Sequence, residues 1–278
     1  MIIGIDVGST TTKAVSIEDG KIHKCQTICL APMARVQDAV TAATGAFGKI
    51  VLENGININD IKKIKMTGAG STKIKDNIFG IPTSRVNEIE AIGVGGTHLS
   101  GMKNIIITNI GTGTVIIEAG DKGIFHYGGS GVGGGTILGL AKKLLPVAEF
   151  GDIMELAKTG KAGNVDLLLG DITDTGLSFL NGESTASNFG KMLDTANHAD
   201  ISLAIINMVF QVIGVLSVFA AKAKNYNRVI VTGNGSNNTI GQKVLSDISA
   251  MYGIEFIYPE FAEYTTAIGA GLAGLCEN

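Results

Sequence analysis

Three glycine turns, in a fixed order, constrain this chain more than any other feature. They are Ile3-Gly-Ile-Asp-Val-Gly-Ser-Thr-Thr-Thr-Lys13, Ile107-Thr-Asn-Ile-Gly-Thr-Gly-Thr114 and Val229-Ile-Val-Thr-Gly-Asn-Gly-Ser236. In each, an apolar run of strand character breaks into glycine and hydroxyl residues. Glycine lets backbone N–H groups approach an anion with no Cβ in the way, and the hydroxyls add donors. A buried strand that ends like this is suited to turn toward a phosphate or a sugar. Three such ends in this order imply a two-lobed nucleotide-binding fold.

The pattern around these turns is α/β. Residues 2–7, 12–18 and 21–30 read as strands, with an Asp19-Gly20 hairpin turn between the last two. Val36, Val40, Ala43, Phe47 and Val51 recur at helical spacing over 35–54, and Asn54-Gly55 ends that helix. Residues 64–68 form a strand running into a turn, 83–86 are strand-like, and 88–99 start a helix followed by small residues. A second cycle then begins. Strands at 104–109 and 114–119 pair around Gly-Thr-Gly, and 123–127 adds a third. Helices are expected at 136–145, 151–160, 201–224, 237–251 and 264–276, strands at 228–232 and 254–258, and a loop-rich stretch at 164–184. The opening three-strand unit thus recurs about a hundred residues later, which is a supersecondary duplication. The expected division is a lobe of 1–98, with 264–278 packing back on it, and a lobe of 99–263.

Composition narrows the function classes. Hydrophobic residues make up 45% and charged residues 17%, which excludes a disordered chain. Net charge is −3 with no Lys/Arg run, so a nucleic-acid partner is not expected. Cys25, Cys29 and Cys276 have no framework or metal-ligand spacing and read as reduced cytosolic thiols. Asp6 interrupts the first apolar run, so no leader is expected, and the localisation read from the sequence is cytoplasmic. Residues 201–221 carry no charge and are long enough to span a bilayer. Ser202, Asn207, Gln211 and Ser217 interrupt them, however, and a buried core or dimer-seam helix is the reading adopted, without a membrane partner.

Several constellations can carry chemistry. In the first turn Gly8 exposes backbone N–H groups, Ser9, Thr10 and Thr11 add hydroxyls, Lys13 adds positive charge, and Asp6 can hold Mg²⁺ through water. A plain Gly-Ser hairpin accounts for the same residues, and neither Walker A nor Gly-x-Gly-x-x-Gly spacing is present. Six glycines within 128–135 lead into a helix, which makes an anion site from free N–H groups and the helix dipole the preferred reading. Glu88 and Glu90 open a helix; either they serve the dipole, or one accepts the proton of an attacking hydroxyl. Small residues at 232–236 and 267–272 suit packing around an adenosine or close helix–strand contact. His23, His98, His126 and His198 show no ligand spacing, and His126 stands just before the glycine run.

With these motifs in hand, the sequence resembles the type II pantothenate kinases, within the superfamily of actin, hexokinase and sugar kinases. The likeness spans almost the whole chain. It rests on Gly4-Ile-Asp-Val-Gly-Ser-Thr-x-x-Lys13, Glu88-Ile-Glu-Ala91, Asn109-Ile-Gly-Thr-Gly-Thr114, Gly128-Gly-x-Gly-x-Gly-Gly-Gly135, Leu138-Gly-Leu140, Thr185-Ala-Ser-Asn-Phe-Gly190 and Thr232-Gly-Asn-Gly235. The resemblance implies a homodimer of actin-like/ribonuclease H-like subunits that transfers the ATP γ-phosphate to the terminal hydroxyl of pantothenate, the first step of coenzyme A biosynthesis. It implies Glu88 as catalytic base and Mg²⁺ at Asp6. It places ATP against Asp6, Val7, Gly8, Ser9, Thr10, Thr11, Thr12, Lys13, Thr112, Gly134, Gly135, Thr136, Ile137, Leu138, Phe150 and Gly235. The acceptor falls at His126, Gly128 and Gly129. One position departs from the family: an Arg that helps bind pantothenate is replaced by His126. Arginine grips a carboxylate with a two-pronged fork that histidine cannot form. A carboxylate-free acceptor such as pantetheine, or a non-catalytic nucleotide-dependent regulator of the same fold, therefore stays open. The first motif also resembles the activator ATPases of 2-hydroxyacyl-CoA dehydratases and benzoyl-CoA reductases, which hold an iron–sulfur cluster through mid-chain cysteines. This chain has no cysteine between Cys29 and Cys276.

Overall fold

The computed structural model describes residues 1–18, 21–29, 38–147, 149–173 and 182–274. The first sheet contains β1 (Ile2–Val7), β2 (Thr11–Glu18), β3 (Lys21–Cys29), β4 (Lys63–Thr67) and β5 (Thr83–Arg85), with α1 (Ala39–Asn54) between β3 and β4. Next come α2 (Glu88–Ser100), then β6 (Ile105–Ile110), β7 (Thr114–Gly120) and β8 (Gly123–Ser130). They are followed by α3 (Gly134–Leu144), α4 (Phe150–Ala157), the short pair β9 (Leu167–Leu168) and β10 (Thr185–Ser187), and α5 (His198–Ala223). β11 (Arg228–Thr232), α6 (Thr239–Tyr252), β12 (Glu255–Ile257) and α7 (Thr265–Leu272) complete the order.

The duplication read in the sequence is a duplication of topology. The sheets run β3-β2-β1-β4-β5 and β8-β7-β6-β11-β12. In each, the first three strands are antiparallel hairpin neighbours and the last two add in parallel. This is the α/β architecture expected of the actin-like ATPases. Strand alternation explains where the faces point. Ile3, Ile5 and Val7 pack into a core with Ala43, Ala46, Phe47 and Ile50 of α1. Gly4 and Asp6 therefore point to the opposite face.

That opposite face is where the halves meet. A Cβ on Gly4 would lie 2.1 Å from the Ala267 carbonyl oxygen, so α7 rests directly on β1. A Cβ on Gly269 would lie 1.7 Å from the Ala91 oxygen, and one on Gly95 2.0 Å from the Thr265 oxygen, so α7 and α2 also touch backbone to backbone. The other side of α2 lays Ile92 among Ile107, Ile117 and Ile230 of the second sheet. The buried lysines Lys13 and Lys65 donate to the carbonyls of Glu263 and Ala273, which flank α7. This stack of small residues fixes α2, and Asn87 caps it by accepting from Ile89 N and Glu90 N at 2.9 and 3.3 Å. Glu88, the first residue of α2, is thereby held between the two sheets.

The long uncharged stretch forms α5, whose Ile205, Ile206, Val209, Phe210 and Ile213 lie in the core of the second half. Gly55 ends α1 in the left-handed region, φ 62°, as the Asn54-Gly55 signal implied. The 35–54 helix starts at Ala39 among described residues, and the closing helix spans Thr265–Leu272 rather than 264–276. The Asp19-Gly20 turn and Cys276 lie outside the described residues. Within the glycine run, Gly128, Gly129 and Ser130 extend β8, paired with Ile116, Val115 and Thr114 beyond a bulge. Gly129 is required there, since a Cβ would lie 2.6 Å from the Thr114 oxygen.

Candidate active site

The three glycine turns converge on one cleft of about 250 Å³. Its walls are Asp6, Gly8, Ser9, Thr10, Thr11 and Lys13 from the β1–β2 hairpin, and Asn109, Gly111, Thr112, Gly113, Thr114 and Val115 from the β6–β7 hairpin. Gly233 and Asn234 come from the turn after β11, with Ala69, Glu88, Ser130 and Thr266 completing the lining. The turns also bond to one another. Ser9 Oγ and Thr112 Oγ1 are 2.7 Å apart, and Asn234 Nδ2 donates to Thr11 Oγ1 at 3.0 Å. The volume falls below the ~300–1,000 Å³ of a whole-ligand pocket, which suits the phosphate end of a nucleotide rather than the entire molecule.

The site's charges are tuned by burial. Asp6 and Lys13 are direct cross-strand partners on the face turned to the cleft. Burial pushes the Asp6 carboxyl up to about 6; Lys13 opposes that shift and Glu88 adds to it. Gly68 makes room for this carboxylate, because a Cβ there would lie 2.4 Å from Asp6 Oδ1. Glu88 lines the cleft and is exposed as a residue, yet partial desolvation raises its carboxyl pKa above the usual glutamate value. A carboxylate with raised proton affinity beside hydroxyl and amide donors can take a proton from an alcohol.

The other expected contacts lie outside the lining of this cleft. Val7 and Thr12 are register partners that face the α1 core, so strand alternation turns both side chains away from the cleft. The N–H groups of Gly134 and Gly135 are not free for an anion: they donate to Gly111 O and Thr112 O, each at 2.9 Å. The N–H of Thr136 returns to Gly133 O at 3.0 Å. The glycine run thus clamps the β6–β7 turn to α3 rather than holding a ligand through these groups. Ile137 and Leu138 belong to the second core, and Gly235 packs against Ile110. Phe150 opens α4 and does not line the cleft. His126 pairs with Ile117, and Gly128 and Gly129 with Ile116 and Val115, all on β8 beside the cleft rather than in its lining. His126 shares the α2-facing side with Ile117 and Ile124 and is exposed.

Asn109, Thr114, Ser130, Gly233, Asn234 and Thr266 line the cleft without having been singled out as contacts. A visible signal was the repeat of Thr67-Gly-Ala-Gly-Ser71 as Thr232-Gly-Asn-Gly-Ser236. A larger groove of about 1110 Å³ lies between α5, α6 and β10, lined by Thr185, Asn207, Gln211, Asp247 and Tyr252 among others. It holds none of the glycine turns and neither Asp6 nor Glu88, so the chemistry resides in the smaller cleft.

Comparison with known proteins follows this geometry. The Fumble family model matches residues 98–273. A type II pantothenate kinase of Bacillus cereus is 31% identical, covering 96% of this chain and 96% of its own. The chain belongs to the type II pantothenate kinase family. A second member, from Staphylococcus aureus, is 27% identical and covers 97% of this chain and 98% of its own. Type II pantothenate kinases are phosphotransferases with an alcohol acceptor. Solved structures share the fold. The activator of the 2-hydroxyisocaproyl-CoA dehydratase from Clostridium difficile, with bound ADPNP, gives TM-score 0.66 at 20% identity, covering 98% of this chain and 92% of that one. A ROK family glucokinase from Streptomyces griseus, in complex with glucose and AMPPNP, gives 0.55 at 13%, covering 97% of each chain.

Proposed function

We infer that this type II pantothenate kinase family member transfers the γ-phosphoryl group of ATP to the terminal hydroxyl of pantothenate. The observation that carries the reading is the meeting of all three glycine turns with Asp6 and Glu88 in a single cleft. Phosphoryl transfer needs little covalent help from a protein and depends on positioning and charge stabilisation. Ser9, Thr10, Thr11 and Thr112 supply hydroxyl donors for the phosphates. Lys13 supplies positive charge beside them. Glu88 orients the acceptor hydroxyl and takes its proton. Asp6 is the residue suited to Mg²⁺. Among the described residues no group of three or more His, Cys, Asp or Glu forms a ready-made metal cage. One carboxylate with neighbouring hydroxyls suits an ion that arrives largely with the nucleotide. When bound, Mg²⁺ supplies charge neutralisation at the phosphate oxygens.

A soluble, cytoplasmic homodimer is part of this reading. Met208, Val212, Leu216 and Phe219 form one row along α5, with Leu216 36% and Phe219 58% exposed. Such a row favours burial against a second copy. Phe219→Glu should shift sedimentation toward the monomer. The lobe boundaries proposed are 1–98 with the closing helix, and 99–263.

A second reading concerns the acceptor. Lys13 is the only lysine or arginine among the described residues lining the cleft. His126 stands beside it where the family resemblance places an arginine. This favours a carboxylate-free acceptor such as pantetheine. An acceptor screen with purified protein, Mg-ATP, pantothenate, pantetheine, N-substituted pantothenamides and small sugars tests both readings. Turnover of pantothenate supports the first, selective turnover of pantetheine the second, and no ADP release with any acceptor overturns the kinase assignment.

A further inference from the structure

The two halves repeat one construction with two exchanges, Asp6 against Asn109 and Ala69 against Asn234, of which the first lies at its centre. Asp6 is the penultimate residue of β1 and pairs with Thr67; Asn109 is the penultimate residue of β6 and pairs with Thr232. Gly68 and Gly233 follow these threonines with φ of 83° and 81°, and both press toward the end of the neighbouring strand. Ser71 Oγ donates to Gly68 O at 2.7 Å, and Ser236 Oγ to Gly233 O at 2.7 Å. Where the first half carries an acid, the second carries an amide.

That amide is locked. Thr232 Oγ1 donates to Asn109 Oδ1 at 3.0 Å, and a Cβ on Gly233 would lie 2.9 Å from the same oxygen. Asn109 is 8% exposed and lines the cleft. With Oδ1 occupied, Nδ2 is left without a hydrogen-bond partner among the described residues, and Asn109 lines the cleft. Nδ2 is not among the fully enclosed unpaired atoms, so it stays accessible and can donate to a ligand in the cleft. We propose that Asn109 is a nucleotide-binding residue whose amide Nδ2 donates to a phosphate oxygen, held in that orientation by Thr232. The assignment rests on the kinase reading for its ligand class. The Asp6–Asn109 exchange then has a chemical sense. Two carboxylates at the paired strand ends would repel the polyphosphate, whereas one acid and one donor divide the tasks of holding a cation and holding an anion.

The test is affinity for a non-hydrolysable ATP analogue with Mg²⁺, by calorimetric titration, which needs no acceptor. Asn109→Asp keeps an oxygen for Thr232 but replaces the donor by a negative charge. It should bind the analogue about 10- to 100-fold more weakly, the range of a lost hydrogen bond to a charged group. Thr232→Val, which frees the amide to rotate, should weaken binding by a smaller factor. The Asn109→Ala/Thr232→Val double variant should be no weaker than Asn109→Ala alone, as coupled residues require. Melting curves of each variant establish folding, and Thr232→Val carries the test should Asn109→Asp not fold. Binding by Asn109→Asp equal to or tighter than wild type, or full additivity of the pair, overturns the proposal. A wild-type protein that binds the analogue but phosphorylates no acceptor would sink the kinase reading while leaving the binding comparison decisive for Asn109.

Discussion

Ser9 Oγ and Thr112 Oγ1 stand 2.7 Å apart, although 103 positions separate them in the chain. One belongs to the β1–β2 hairpin and the other to the β6–β7 hairpin, so the two halves touch through the same hydroxyls assigned to the phosphates. A nucleotide entering the cleft exchanges this mutual bond for two charge-assisted ones. Ser9→Ala and Thr112→Ala should each raise the KM for ATP about tenfold or more, the scale of a hydrogen bond to a charged group. Thr112→Ser should restore most of the loss. Steady-state kinetics at saturating acceptor would decide this, and an unchanged KM in both alanine variants removes the pair from the nucleotide site.

Glu88 makes a sharper case, because its role is tied to pH. Burial raises its pKa above the ordinary glutamate value of 4.5. The base must be ionised to accept a proton, so kcat/KM for the acceptor should fall on the acid side at a pH higher than an unperturbed glutamate would give. Glu88→Gln should lower kcat about 10²- to 10⁴-fold, the usual worth of general base catalysis, and leave binding of an ATP analogue intact. The Glu88-dependent acid limb should vanish from the residual rate. Full activity in this variant would remove Glu88 from the chemistry.

The first turn shows how far the sequence reading reached. Asp6 and Lys13 were legible because a strand alternates: their register pairing places both on the cleft face. The same alternation turns the side chains of Val7 and Thr12, which a motif taken as a block had included, away from the cleft lining. Gly134 and Gly135 stand outside the lining for another reason. Their N–H groups are consumed by Gly111 and Thr112, and such a long-range partner leaves no trace in a local glycine pattern. Asn109 and Asn234 were overlooked because an amide becomes a donor only once tertiary contacts fix which end is free. Glu88 was ambiguous from composition alone, and the α2–α7 glycine crossing that positions it depends on packing rather than on motif.

Asp6 links stability to function. Its pKa is about 6 in the folded chain against 3.8 for the free side chain, so the folded state binds the extra proton across that window. For an acid whose pKa is raised, stability falls as pH rises through the window, and at pH 7 the ionised carboxylate is a cost. Asp6→Asn should therefore stabilise the metal-free protein at pH 7 by on the order of 1–2 kcal/mol, the effect shrinking as pH falls from about 6 toward 3.8 and vanishing below it. Phosphoryl transfer should be lost in the same variant. Urea unfolding at pH 7 and pH 4 would show it, and equal stabilisation at both pH values would contradict the burial argument.

Gly269 tests the crossing that carries Glu88. A Cβ there meets backbone, 1.7 Å from Ala91 O and 2.7 Å from Gly95 N, so no side-chain rotation relieves the clash. Gly269→Ala should cost at least ~1–3 kcal/mol by overpacking. Because α2 must shift to admit the methyl group, kcat should fall as well. Gly139→Ala, at a helical site with nothing within 4 Å of the new Cβ, serves as control and should leave melting temperature and kcat nearly unchanged. Equal behaviour of the two variants would mean that α2 and α7 are not held by this contact.

His126 is where acceptor choice can be read. It shares a side of the second sheet with Ile117 and Ile124, which pack with Ile92 of α2, the helix that opens with Glu88. An acceptor whose hydroxyl reaches Glu88 has this face as a neighbouring wall. An arginine presents a fixed charge in a fork that matches a carboxylate, a geometry that a histidine cannot form. His126→Arg should therefore lower the KM for pantothenate, by about 10-fold if one charge-assisted interaction is gained. The KM for pantetheine, which has no carboxylate, should stay the same. The ratio of the two kcat/KM values is the measurement, taken on one protein preparation with both acceptors. A shift of both acceptors together would assign His126 to the shape of the wall, and no shift in either would place the acceptor elsewhere in the cleft.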